Sequence, residues 1–252
     1  MIRGVLFDLG GTLHTADSPQ GRDVWFARRL LERLSDYGVH LDAEPEELAK
    51  RLNENSEDYK RRSEKDLREL PPAEIWSDWY LRDWAVGRER LEPMAEELSF
   101  LYDYERVRVM RRPYIRETFD ALRSQGMKLG LISNIISLSV APHFLEEYGV
   151  KGYMDCIVLS SETGIRKPSP DIFRVAEGRL GLPPAELAYV GDTLSRDVRG
   201  TRNAGWRLMI QIKNPGAAKR DVGLENSGLR PDYLIEGLEE IPGIIRRENA
   251  GK

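Results

Sequence analysis

At 252 residues the chain is long enough to bury one large core, or a core domain with a smaller companion. Its 40% hydrophobic and 32% charged content is too apolar for disorder and ordinary for a globular protein. A net charge of −4 provides no overall basic footprint for a nucleic-acid partner, and no run approaches the roughly 20 apolar residues of a membrane helix.

The first eight residues, Met-Ile-Arg-Gly-Val-Leu-Phe-Asp, have neither the longer apolar stretch nor the small-residue cleavage site of a signal peptide, so a cytoplasmic protein is expected. Residues 2–7 form a short apolar run ended by Asp-Leu-Gly-Gly-Thr, the pattern of a buried strand stopping at a glycine turn. From about 17 to 108 the texture is rich in Glu, Arg, Leu and Ala at helical spacing. Phe26, Leu30, Leu31 and Leu34 make one apolar stripe, and Trp76, Trp79, Tyr80 and Trp84 make another, which reads as the core face of a helix begun by Pro71-Pro72.

Beyond residue 112 short apolar runs alternate with helical stretches. Runs are predicted at 128–132, 156–159, 187–190, 207–210 and 233–235, with helices at 114–125, 171–180 and 196–204 between them. That alternation implies a parallel sheet covered on both faces. The first strand belongs to the same sheet, so the expected architecture is an α/β core, residues 1–16 and 109–252, with an all-helical cap domain, residues 17–108, inserted after strand one. Residues 213–231 read as a long loop, and 246–252 as a frayed tail. The one cysteine, Cys156, cannot pair within the chain and reads as a small buried hydrophobe.

Ligands of open parallel sheets bind outside the carboxyl ends of the strands. Asp8 follows the first run there, Ser133-Asn134 the run at 128–132, and Gly191-Asp192 the run at 187–190, while Lys167 lies in the loop ahead of the helix at 171–180. The fold thus gathers three carboxylates (Asp8, Asp192, Asp197), a hydroxyl, an amide and an ammonium. That set suits phosphoryl transfer, which needs a nucleophile, a cation and donors aimed at developing charge. Clustered carboxylates without His or Cys favour a hard ion such as Mg²⁺. Each residue also has a purely structural alternative. Asp192 can cap a helix, Asp197 can be a solvated helix carboxylate, Ser133 and Asn134 can form a turn, and Lys167 can lie on the surface.

Phe7-Asp-Leu-Gly-Gly-Thr-Leu13, Ile132-Ser-Asn134, Arg166-Lys-Pro-Ser-Pro-Asp-Ile-Phe173 and Val190-Gly-Asp-Thr-Leu-Ser-Arg-Asp197 resemble, in order, the four motifs of the haloacid dehalogenase superfamily. The long gap between the first two motifs is similar to the subgroup whose helical cap follows motif one. The resemblance implies a Rossmann-like core and a Mg²⁺-dependent phosphatase acting on a small phosphorylated molecule through an aspartyl-phosphate on Asp8. It further implies metal binding by Asp8, the Gly10 carbonyl and Asp192, with Asp197 as ligand or as holder of a metal-bound water. Gly11, Ser133, Asn134 and Lys167 would bind phosphate, Lys167 would also neutralise charge in catalysis, and Thr12 would brace the turn.

One position departs from the pattern. Most phosphatases of that superfamily carry an Asp two residues after the nucleophile, which protonates the leaving oxygen and activates water; here it is Gly10. Loss of such a group costs about 10²–10⁴-fold in rate. The expected enzyme is therefore slow or confined to good leaving groups, or draws its acid from elsewhere, with His14 and the cap as possible sources. Alternatives are cleavage of phosphonate or halide, the first using a cap lysine such as Lys50, and a binder of phosphorylated metabolites without turnover.

Overall fold

The computed structural model describes residues 1–217, 220–224 and 227–251. The chain opens with β1 (Gly4–Phe7), which is wholly buried. A turn then leads to β2 (His14–Asp17), followed by a helical stretch: α1 (Arg22–Asp36), α2 (Pro45–Asp66), α3 (Pro72–Ile75), α4 (Arg88–Leu91) and α5 (Ala95–Glu105). β3 (Arg108–Arg111) returns antiparallel to β2, pairing His14 with Arg111 and Asp17 with Arg108. The helical region therefore leaves and re-enters the sheet portion through a two-stranded ladder. Neither strand is among the runs read from the sequence, because four residues beside a glycine turn carry little local signal.

The remainder alternates: α6 (Ile115–Ser124), β4 (Lys128–Ser133), α7 (Val140–Glu147), β5 (Cys156–Leu159), α8 (Ser160–Thr163), α9 (Pro170–Leu180), β6 (Leu187–Gly191), α10 (Arg199–Asn203), β7 (Leu208–Ile212), β8 (Tyr233–Ile235) and α11 (Ile241–Ala250). Six strands form one parallel sheet in the order β5-β4-β1-β6-β7-β8. The chain moves outward from β1 through β4 to β5, then crosses back to β6 on the other side. β1 thus lies at the switch point where open α/β sheets form their binding crevice.

Side chains alternate between the two faces with the strand period of two. Val5, Phe7, Leu129, Leu131 and Val190 pack with α6, α7 and α11. Leu6, Ile132, Val158, Tyr189 and Met209 pack with α9 and the turn before α10. A separate apolar cluster, spanning Phe26 to Tyr102 and joined only by Ile136 from beyond β3, holds the helical region together.

Two expectations are corrected. The aromatic stripe is not one helix: α3 gives way to a π turn at Trp76–Tyr80 and a 3₁₀ turn at Arg82–Trp84. It is core nonetheless, with Trp76 and Tyr80 buried and the Trp76 indole donating to Ser99 Oγ at 3.0 Å. The tail does not fray over 246–251, because α11 runs to Ala250 and the Asn249 amide closes on the Ile2 peptide through bonds of 2.6 and 3.0 Å; Lys252 lies outside the described residues. Cys156 is buried on the edge strand, as expected of a small hydrophobe, and burial pushes its thiol up to about 11.

Candidate active site

β1 is flanked by β4 and β6, with Phe7 level with both Leu131 and Val190. Its continuation, Asp8, therefore emerges between the ends of the two strands that supply Ser133 and Asp192. Lys167 reaches the same point from the loop before α9 and is almost wholly buried. Its Nζ lies 2.9 Å from Asp8 Oδ1 and 2.7 Å from Asp197 Oδ1, and donates to the Tyr189 hydroxyl at 2.9 Å. Tyr189 in turn donates to the Ile132 carbonyl at 2.8 Å. The lysine is thus fixed by three oxygens, and its full complement of donors is used.

Asp197 is the best satisfied of the three carboxylates. Its Oδ2 accepts from Thr193 N at 2.9 Å, Thr193 Oγ1 at 2.6 Å and Asp192 N at 3.2 Å, while Oδ1 accepts from Lys167. Burial disfavours its charge, but Lys167 and the Thr193 donors outweigh that and hold its pKa below the ordinary carboxylate value. Asp8 goes the other way: burial raises its pKa, and Lys167 only partly opposes the rise.

Burial, with Asp197 and Asp8 close by, lifts Asp192 to about 7. Its Oδ2 accepts from Asn214 Nδ2 at 2.7 Å, but its buried Oδ1 has no partner among the described residues. Oxygens of Asp8, Asp192 and Asp197 lie within 4.8 Å of one another. Asp8 and Asp192, both pushed toward protonation and the second with an orphaned oxygen, beside the ionised Asp197, form a donor set that a hard divalent cation fits.

The turn after β1 closes against this cluster. Gly11 has φ 90°, and a Cβ there would stand 2.0 Å from Asp192 Oδ2, so only glycine lets the backbone approach so closely. Gly10 differs from it. Its φ lies outside the left-handed range, and an added Cβ would meet nothing nearer than His14 Nε2 at 3.9 Å. His14 is buried in β2, its Nδ1 paired with the Tyr148 hydroxyl at 2.8 Å, and burial lowers its pKa to about 4.

The remaining expected residues fall into place less uniformly. Ser133 ends β4 and is buried. Asn134 spends its side chain on the Lys167 backbone, accepting from Lys167 N at 2.8 Å and donating to Lys167 O at 3.0 Å. That bond pair makes Asn134 a positioner of Lys167 and leaves one amide hydrogen for anything else. Thr12 is buried, but its hydroxyl has no partner among the described residues, so any bracing of the turn comes from its backbone bond to Leu9. Lys50 is exposed on α2.

Several contributors carry no motif. Asn214 reaches Asp192 from the loop after β7, and Asp221 of the same loop accepts from Leu194 N and Ser195 N at 2.8 and 2.9 Å. Residues 218, 219, 225 and 226 of that expected loop lie outside the described residues. Glu69, beyond α2, is buried and pairs with Arg166, with further bonds from Tyr59 and Ser160. It ties the helical region to the residue preceding Lys167. A cavity of about 240 Å³ opens beside Asn134, between this loop and the helical region, with Arg106, Arg166, Arg196 and Arg220 in its wall.

A family model for haloacid dehalogenase-like hydrolases matches residues 2–205. The chain is 28% identical over 247 residues to a glyceraldehyde 3-phosphate phosphatase of Methanopyrus kandleri, covering 98% of each. It is 25% identical to the human N-acylneuraminate-9-phosphatase, over 97% of this chain and 94% of that one. Among solved structures it is similar to a phosphatase from Thermococcus onnurineus, with a TM-score of 0.61 and 25% identity over 97% of this chain and 98% of the other. Among the described residues no helix is long and apolar enough to cross a membrane.

Proposed function

The chain belongs to the haloacid dehalogenase-like hydrolase family, and on that premise we propose that it hydrolyses phosphate monoesters of small metabolites, with Asp8 as nucleophile. The observation that carries the reading is Asp8 held against Lys167 beside the half-satisfied Asp192, at the switch point of the sheet. Two curated relatives matched over nearly their whole length are phosphatases by name, which supports the same reaction class.

In the first half-reaction a carboxylate oxygen of Asp8 bonds to phosphorus while the ester P–O bond breaks, and the departing alkoxide takes a proton. In the second, water attacks phosphorus and returns the Asp8 carboxylate. Lys167 offsets phosphoryl charge; Ser133, the Gly11 turn and the free hydrogen of Asn134 donate to phosphoryl oxygens. Asp8, the Gly10 carbonyl and Asp192 would hold Mg²⁺, which when bound neutralises charge on the transferred group. Asp197, its oxygens already engaged, orients Lys167 and the 192–193 turn. Residues 17–108 act as the cap over a core made of 1–16 and 109–252.

Gly10 supplies no acid or base. His14 presents Nε2 toward the place where a residue-10 side chain would begin. Burial keeps its imidazole neutral, so it offers no acid for the first half-reaction, and at about 4 it is only a weak base for the second. The test is a screen of phosphorylated metabolites, with aryl and acetyl phosphate, in Mg²⁺ and in EDTA. Phosphate release that needs the metal and vanishes in Asp8→Asn is expected; turnover surviving in Asp8→Asn defeats the assignment.

A further inference from the structure

We propose that the preferred substrate carries a second anionic group, remote from its phosphoryl group, and that Arg106 of the helical region recognises it; the inference rests on the phosphatase reading of Asp8. The cavity beside Asn134 is walled by basic side chains, against which, among the described residues, only Glu57 and Asp103 contribute carboxylates. Two of its cations are neutralised locally, Arg166 by Glu69 and Lys60 by Glu57. Arg106, Arg196 and Arg220 have no ion-pair partner among the described residues, and Arg106 Nε and Arg196 Nη2 are buried without any hydrogen-bond acceptor. Arg106 and Arg196 are half-buried and Arg220 is exposed, so the cost falls on the two buried nitrogens, each a donor without an acceptor until an anion arrives.

These cations divide between two ends. Arg196 follows Asp192 in the chain and acts electrostatically on Asp8, and Arg220 is drawn toward Asp192, Asp8 and Asp197. They face the phosphoryl end, which Lys167 already serves. Arg106 sits beyond α5, its guanidinium 4.4 Å from the centre of the Tyr102 ring, among groups of the helical region. Its neighbour Asp103 is committed to the Ile136 and Ser137 amides. Asp103 and Glu57 stabilise the Arg106 charge from a distance, but neither accepts from its buried Nε, and a phosphoryl group at Asp8 does not serve it; a second anion on the leaving group would supply that acceptor. The volume, about 240 Å³, is below the roughly 300–1,000 Å³ of drug-sized pockets, which suits a short acid better than a nucleotide.

The experiment compares 3-phosphoglycerate with glycerol 3-phosphate, which share a skeleton and differ in the carboxylate, with 2,3-bisphosphoglycerate as a phosphate-bearing arm. A charged hydrogen bond predicts kcat/KM about tenfold or more higher for the acid. That ratio should collapse in Arg106→Gln and partly recover in Arg106→Lys. A wild-type ratio at or below one overturns the proposal, as does an unchanged ratio in folded Arg106→Gln. If Arg106→Gln does not fold, the wild-type ratio alone decides. If no compound is turned over, p-nitrophenyl phosphate included, the phosphatase reading fails separately. Calorimetry of the same pair on wild type then decides the anion proposal, and equal affinities refute it.

Discussion

Replacing Gly10 by Asp should raise turnover on alkyl phosphates. The backbone there is not left-handed, and an added Cβ has its nearest contact at 3.9 Å, so the side chain enters open space. Removing glycine freedom from the unfolded chain is worth about 0.4–1 kcal/mol at compatible sites, so the fold should be kept. The neighbouring glycine supplies the control: Gly11→Ala drives a Cβ to 2.0 Å from Asp192 Oδ2 at φ 90° and should disable the site. A carboxylic acid at residue 10 can protonate the departing oxygen, an effect of about 10²–10⁴-fold. The gain should concentrate on poor leaving groups, because an aryl oxide departs without a proton. The assay is kcat/KM over a leaving-group series from aryl to alkyl phosphates, for wild type and Gly10→Asp, with acid-quench trapping of phosphoenzyme. Wild type should decline steeply along the series and the variant should flatten it. A flat wild-type series, or no alkyl gain in a folded variant, would refute the reasoning and place the acid on another residue.

Three further outcomes follow from the geometry. Asp192→Ala removes the orphaned oxygen and should weaken Mg²⁺ binding strongly by calorimetry; equal affinity would exclude Asp192 as a ligand. Glu69→Ala strands the buried Arg166 and should cost about 3–5 kcal/mol in urea unfolding, and a loss under about 1 kcal/mol would show the pair to be dispensable. Burial raises Asp103 to about 7 in the fold, so between about pH 4 and 7 the unfolded chain has released a proton that the native one still holds. Stability should then fall as pH rises through that window, by at most about 1.4 kcal/mol per pH unit, and Asp103→Asn should reduce the slope; parallel pH profiles would contradict the shift.

The division between sequence and structure follows the range of each interaction. A buried parallel strand writes itself as a short apolar run, and the polar residue that ends it is already at the edge where ligands bind. Asp8, Ser133 and Asp192 were legible for that reason, as were the six strands and the inserted helical stretch. The reading failed where a neighbour in space decides the role. Nothing local separates Gly10, which has room for a side chain, from Gly11, which has none; the Asp192 carboxylate makes that difference. Asn134 reads as a phosphate donor alone, but it also holds the Lys167 backbone through two bonds across 33 residues, which leaves one amide hydrogen for an anion. Asn214 and Glu69 carry no motif because their partners, Asp192 and Arg166, lie 22 and 97 residues distant. The tail at 246–251 looks frayed until Asn249 meets Ile2. Backbone periodicity is encoded in adjacent residues and can be read in a line, so the sequence determined the strands and the carboxylates at their ends. Which cations are paired, which oxygens are orphaned and which glycine is obligatory depends on packing across the sheet edge, and only the tertiary structure decided those.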